Sequence, residues 1–138
     1  MWSSRFTWGG EDPPREGEIA VIGHMQHIYF DAITPVLKAL IIQGGSLTFD
    51  DTQDVSLDVE YILILDGGTL RIGTQEQPFL HNAVVTMHGH SRSIELPMYG
   101  AKVLGLREGT LDMHGKPLRV SWTKLGSFSE NCYLFMNL

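Results

Sequence analysis

Residues 59–73 repeat residues 36–50 in outline, and this echo restricts the folds open to the chain more than any other feature. Leu40-Ile41-Ile42-Gln43-Gly44-Gly45-Ser46-Leu47-Thr48-Phe49 returns as Leu63-Ile64-Leu65-Asp66-Gly67-Gly68-Thr69-Leu70-Arg71-Ile72, at an offset of 23 residues throughout. Each copy is an apolar run, a Gly-Gly pair, a small hydroxyl residue and an alternating stretch. A weaker third copy, Val103 to Met113, aligns Gly109 with Gly68. Self-similarity at a period in the twenties marks stacked, solenoid-like architectures, because one unit cannot bury its apolar face alone. The expectation is an all-β fold of parallel stacked coils.

The glycines suit that expectation mechanically. Gly44-Gly45 and Gly67-Gly68 each lie between two strand signals, where a sharp turn needs positive φ or close backbone approach. Two-residue Gly-Gly loops also close antiparallel hairpins, so local sequence allows both. The repeat favours coils.

Strand signals fall at Ile19–Ile22, His27–Phe30, Leu37–Ile42, Ser46–Phe49, Val55–Leu57, Tyr61–Leu65 and Thr69–Ile72, and later at Ala83–His88, Lys102–Leu106, Thr110–Met113 and Leu118–Trp122. They are short, branched or aromatic, and mostly bounded by Gly or Asp. Tyr61–Leu65 is apolar without alternation, which predicts burial on both faces. Leu47 with Phe49, and Leu70 with Ile72, alternate and predict one buried face. Val36–Ile42 is the one run that could pass for a short helix, so helix is expected to be minor. Residues 9–18 are turn-formers and charges and predict an exposed loop.

A chain of 138 residues is about one domain and long enough for a core. Ten basic and 16 acidic residues give a net charge of -6, which argues against a nucleic-acid partner. Cys132 is the single cysteine, so no internal disulfide forms and a plain thiol is expected. No stretch approaches the roughly 18 apolar residues of a membrane span. The start, Met1-Trp2-Ser3-Ser4-Arg5, lacks the apolar core of a signal peptide. The chain is therefore expected to be intracellular or a piece of something longer.

An ordered series of motifs then resembles a known family. It runs through Trp8-Gly9-Gly10, Pro14 with Gly17, Thr34-Pro35-Val36-Leu37, Ile64 to Leu70, Ile72-Gly73-Thr74 and Pro78-Phe79. It continues with His88-Gly89, Tyr99-Gly100-Ala101-Lys102-Val103, Gly109-Thr110-Leu111-Asp112, His114-Gly115-Lys116 and Trp122-Thr123-Lys124-Leu125. Singly these motifs are weak; the ordered series resembles the G8 domain over residues 6–125. That resemblance implies a β-rich fold with right-handed parallel β-helix character in an extracellular setting. It also implies a non-catalytic binding or structural module of a fibrocystin-like receptor, with an unknown carbohydrate or protein ligand. The alternative it implies is part of a hyaluronan-binding or hyaluronan-depolymerising enzyme that needs further domains. Residues 126–138 depart from the pattern and form a divergent tail, either disordered or a cap in which Tyr133, Leu134, Phe135 and Met136 cover the last coil. A truncated, spliced or fragmentary product is expected.

Four groups of residues invite chemistry. His88 and His90 flank Gly89 and, on a strand, would share a face that could hold zinc; without a third ligand they are loop or rim histidines. Asp50, Asp51 and Asp54 offer carboxylates suited to calcium, but their spacing matches no calcium loop, and a solvated turn is expected. Asp66 and Asp112 would make a hydrolytic pair if stacking brought them about 5–10 Å apart; acids beside turns more often bond the local backbone. Arg71, Arg92, Lys102, Arg107, Lys116, Arg119 and Lys124 would attract a polyanionic sugar if aligned on one face, and otherwise are dispersed solubilising charge. The expectation is no catalytic residue, no metal, no cofactor, no nucleic-acid partner and no membrane span.

Overall fold

Strand pairing in this protein is parallel throughout the named strands of a computed structural model that describes residues 1–90 and 92–118. The order is β1 (Ile19–Ile22), β2 (His27–Phe30), β3 (Leu37–Gln43), β4 (Ser46–Phe49), β5 (Val55–Leu65), β6 (Thr69–Ile72), β7 (Ala83–Met87), β8 (Leu104–Arg107) and β9 (Thr110–Met113). One sheet runs β1-β3-β5, with β7 and β8 both paired to the long β5; the other runs β2-β4-β6-β9. Consecutive strands thus step from one sheet to the other and form rungs: β1 with β2, β3 with β4, β5 with β6, and β8 with β9. A 3-10 turn at Arg5–Trp8 is the only helical element among the described residues.

Alternation along each strand builds the core. Leu47 and Phe49 of β4, and Leu70 and Ile72 of β6, are buried, while their neighbours are half-buried. Register sets like on like, with Ile22 beside Ile42 and Ile42 beside Ile64 in one sheet, and Ile28, Leu47 and Leu70 in line across the other, where the exposed Leu111 continues the row. Each such buried aliphatic contributes about 1.5–3 kcal/mol relative to exposure. At the first rung Trp2 closes the stack, 1% exposed, with its ring edge-on to Phe30 at 5.2 Å and to Trp8 at 4.9 Å. The Trp8 indole N–H donates to the Trp2 carbonyl (2.7 Å) and locks this cap.

The strand expected at Leu37–Ile42 runs Leu37–Gln43 and pairs with strands on both sides, so the run that could pass for a short helix is not one. Two expectations change. Val55–Leu57 and Tyr61–Leu65 are one 11-residue strand, since β7 pairs with its first half and β8 with its second. Within it Tyr61, Ile62 and Ile64 are buried but Leu63 and Leu65 only half-buried, so the run is less enclosed than its composition predicts. Of the predicted strand Leu118–Trp122, all but Leu118 lies outside the described residues, as does the tail 126–138.

The offset also divides. β4 pairs with β6 at 23 residues, as Ser46 with Thr69, but β3 pairs with β5 at 22, as Leu40 with Ile62. An offset of 23 in that sheet would set buried Leu40 against half-buried Leu63, inverting the inward and outward faces. The difference is one extra residue in the second turn. Gly44-Gly45 joins β3 to β4, whereas Asp66-Gly67-Gly68 joins β5 to β6, and Asp66 takes the left-handed conformation (φ 49).

Within each Gly-Gly pair the two glycines have different tasks. Gly67 adopts φ +81, where its side is open and only backbone conformation demands glycine. Gly68 needs glycine for space: a Cβ there would overlap the Ile42 carbonyl oxygen and stand 2.9 Å from that of Leu65. This close approach lets the turns bond to one another, Ser46 N–H to Gln26 O (2.8 Å), Thr69 N–H to Gly45 O (2.9 Å) and Thr110 N–H to Gly68 O (2.8 Å).

Candidate functional site

The outer face of β5 gathers the densest set of ionisable side chains. Ser56, Asp58 and Glu60 lie two apart and so project from one face. Because Leu37 pairs with Val59 and Ala39 with Tyr61, Lys38 of β3 stands opposite Glu60, and its ammonium meets the carboxylate at 2.5 Å. Lys38 also lies 5.4 Å from the centre of the Tyr61 ring, whose hydroxyl donates to the Ile94 carbonyl. From the other side His88, just past β7, meets Asp58 through Nε2 at 2.7 Å. Lys38, Glu60 and His88, with His90, Arg92 and Ser93, enclose a cleft of about 340 Å³.

Glu60 lines this cleft and Asp58 lies beside it, behind His88, and two neighbouring carboxylates are the outline of a glycoside hydrolase. The electrostatics point elsewhere. Asp58 is held below its ordinary value, chiefly by the hydrogen bond from His88 and then by that from Ser56, against some desolvation. Lys38 is raised, first by its hydrogen bond to Glu60. A general acid working near neutral pH needs a carboxyl pushed upward, and Asp58 is pushed downward. The site is a Lys38–Glu60 ion pair and an Asp58–His88 hydrogen bond, each made across rungs.

His88 and His90 both line the cleft but do not act together. β7 ends at Met87 and Gly89 interrupts the extended chain. His90 turns into its own loop, where its N–H donates to Ser93 Oγ (2.9 Å) and its Nδ1 accepts from the Arg92 N–H (3.1 Å). Among the described residues no three His, Cys, Asp or Glu side chains converge on a point that could hold a metal ion.

The acidic turn is not merely solvated. Asp51 accepts from the backbone N–H of Leu80 (2.7 Å) and His81 (2.8 Å) and meets the His81 ring at 2.8 Å. Desolvation opposes its ionisation, but these backbone and ring donors together outweigh it and lower its pKa. Asp54 takes the N–H (2.9 Å) and side-chain amide (3.1 Å) of Asn82, and those bonds lower it too. Asp50 accepts from the Thr52 hydroxyl at 2.9 Å. The turn after β4 therefore pins the segment that leads into β7.

Asp66 and Asp112 have separate partners. Asp66 accepts from the Gln43 amide (2.7 Å) at the β5–β6 turn. Asp112 sits opposite Arg71 on the outer face of the second sheet, 3.1 Å from its Nε and 2.8 Å from the His114 ring. Of the basic residues, Arg71 is thus paired on that sheet, Arg92 lines the β5 cleft, and Arg107 ends β8 in the other sheet. Lys102 packs against Gly89, and Lys116 follows the Phe79–Gly115 bridge, so these five form no common stripe. Arg119, Lys124 and Cys132 lie outside the described residues.

Sequence reasoning missed the Lys38–Glu60 and Asp58–His88 pairs. A usable signal existed: at an offset of 22, Lys38 falls on Glu60, and opposite charges across a sheet stabilise that register.

The G8 domain family matches residues 7–126. Fibrocystin-L of Homo sapiens is 58% identical over 124 residues, covering 90% of this chain and 3% of its own length. Fibrocystin of Canis lupus familiaris is 38% identical over 124 residues, with the same coverage of 90% and 3%. The cell migration-inducing and hyaluronan-binding protein of Mus musculus is 34% identical over 124 residues, covering 83% of this chain and 9% of its own length. The chain therefore spans about 3% of the length of the fibrocystin relatives it matches. No solved structure matches it. With the match running through both sheets from Thr7 to the end of β9 and beyond, this chain belongs to the G8 domain family.

Proposed function

We propose that this chain is a non-catalytic binding or structural module of an extracellular, fibrocystin-like membrane protein. Its body is a right-handed parallel β-helix-like stack over residues 6–125, with residues 126–138 a separate tail. The parallel pairing of both sheets and the stepping of the chain between them support the stacked reading. Likeness to fibrocystin-L and fibrocystin supports the fibrocystin-like reading, and likeness over 78% of the chain to a Danio rerio protein named cell surface hyaluronidase supports the extracellular setting. No helix among the described residues is long and apolar enough to cross a membrane.

The observation that carries the non-catalytic reading is the employment of the acids. Asp51, Asp54, Asp58 and Asp112 each accept hydrogen bonds from residues of another strand or connecting segment, and the first three are held ionised by those bonds. They act as ties that set how rungs stack. Incubation of the purified chain with size-defined hyaluronan tests this: polymer length is expected to stay constant, and sustained shortening would sink the reading.

A second reading, hyaluronan binding, is favoured by the relative named as hyaluronan-binding. The polymer is a polyanion, so such binding would rest on basic side chains and weaken with salt. Retention of hyaluronan that is unchanged from low to high salt would remove the electrostatic version.

A further inference from the structure

Most outward polar groups tie one rung to the next, but one cleft on the second sheet is built differently. Tyr29 pairs with Thr48, Thr48 with Arg71, and Arg71 with Asp112, so these four stand in line across the outer face of β2-β4-β6-β9. Neighbouring strands lie about 4.8 Å apart, which places the Tyr29 and Arg71 backbones roughly 10 Å apart with Thr48 between them. The turns after β4 and β6 close the ends with Asp50, Thr52 and Gln77, and the cleft holds about 300 Å³. Tyr29 is 53% exposed, an aromatic ring left at the rim of a polar floor.

The hydrogen-bonding state of the lining is what distinguishes it. The Tyr29 hydroxyl, the Thr48 hydroxyl and the Gln77 side-chain amide make no hydrogen bond to a described residue, while the Gln77 backbone N–H is taken by the Thr74 hydroxyl (3.0 Å). Arg71 uses Nε on Asp112 (3.1 Å), so its charge is matched while its terminal N–H groups stay available. Asp50 brings a further carboxylate, already accepting from Thr52. The lining therefore offers an aromatic flank, several fixed donors and acceptors, and no surplus positive charge. An apolar face beside a few placed polar groups is the common form of a small-molecule site.

We propose that this cleft binds a neutral pyranose glycan, one sugar ring lying against Tyr29 with its hydroxyls met by Thr48, Arg71 and Gln77. A pyranose presents C–H faces to an aromatic ring and hydroxyls at its edge, which is the pattern the lining complements. A polyanionic sugar would meet Asp50, Asp51 and Asp112 before any unmatched cation, and like charge disfavours it. The inference rests on the binding-module reading and names its ligand class.

Saturation-transfer NMR on the full chain tests it, with maltohexaose and lacto-N-neotetraose as neutral probes and a hyaluronan hexasaccharide as the charged one. At least one neutral probe is expected to bind, at roughly millimolar affinity for so open a cleft, and equally at low and high salt. Tyr29→Ala and Gln77→Ala should each weaken that binding, the first by about 2–10-fold given the stacking lost, while Tyr29→Phe retains most of it. Gln77 is exposed in a turn, so its variant reports even where Tyr29→Ala fails to fold. Absence of binding by both neutral probes, binding only by the charged one, or undiminished binding in folded Tyr29→Ala and in Gln77→Ala would overturn the proposal. Polymer shortening in parallel hyaluronan samples would instead strike the non-catalytic reading, so the two failures are distinct.

Discussion

Substituting Gly68 by alanine tests the claim that the second glycine of each pair serves close stacking and not conformation. The added methyl would overlap the Ile42 carbonyl oxygen, with the Leu65 carbonyl oxygen at 2.9 Å and the Ile42 carbonyl carbon at 3.0 Å. Ordinary carbon contacts lie at about 3.5–4.0 Å, so relieving the overlap with the Ile42 oxygen would part the second and third rungs by about an ångström. All three neighbours are backbone oxygens or carbons of paired strands, and none can rotate away. The Thr69 N–H to Gly45 O bond, 2.9 Å at present, would lengthen beyond the normal range. Overpacking costs about 1–3 kcal/mol and a weakened buried hydrogen bond about 1 kcal/mol more, which places Gly68→Ala near 2–4 kcal/mol. Gly67→Ala has open space around it and only its φ of +81 to resist, about 1–2 kcal/mol. Urea unfolding of both variants gives the ordering directly. The reasoning fails if Gly68→Ala is as stable as the parent, or if Gly67→Ala is the more damaging.

Three further outcomes are expected. Trp2→Ala removes the cap over Phe30 and should cost about 3–5 kcal/mol in thermal or urea unfolding; a loss under about 1 kcal/mol would mean the first rung needs no cover. Asp51→Ala should speed amide exchange at Leu80 and His81 by about 10-fold or more while leaving the β3 and β5 amides protected, and uniform slowing or no local change would refute the pinning. Asp51, Asp54 and Asp58 have folded pKa values below the ordinary 3.8, so the folded state binds fewer protons than the unfolded one as acid is added. Their contribution is complete above about pH 5 and is lost as the pH falls through 3.8 toward the folded values. The urea midpoint should drop over that window and drop less steeply in an Asp54→Asn, Asp58→Asn double variant; a midpoint that rises on acidification would contradict the linkage.

Much of the strand layout was legible because it depends on local signals. Ile19–Ile22, His27–Phe30, Ser46–Phe49, Thr69–Ile72 and Thr110–Met113 follow from branched residues, period-two alternation and flanking glycine. The third copy, faint as it is, aligns correctly, with Thr110 beside Thr69 and Gly109 in line with Gly68. The cleft over β5 was not legible. His88 was visible but Asp58, its partner, lies 30 residues away, and Asp58 carries no local mark that separates it from any outward strand carboxylate.

By itself the sequence determined that strands recur at a nearly constant spacing, that alternate residues face inward, and that glycine stands at the turns. These are properties of single residues and their neighbours along the chain. Tertiary structure alone decided that β3 meets β5 at 22 residues while β4 meets β6 at 23, with Asp66 absorbing the difference. It also decided that the acidic turn grips residues 80–82 and that Tyr29, Thr48 and Arg71 form one wall. The reason is that register is a collective property. It is fixed by the burial of Leu40 on Ile62 and the pairing of Lys38 with Glu60 together, and a one-residue shift reverses every face at once.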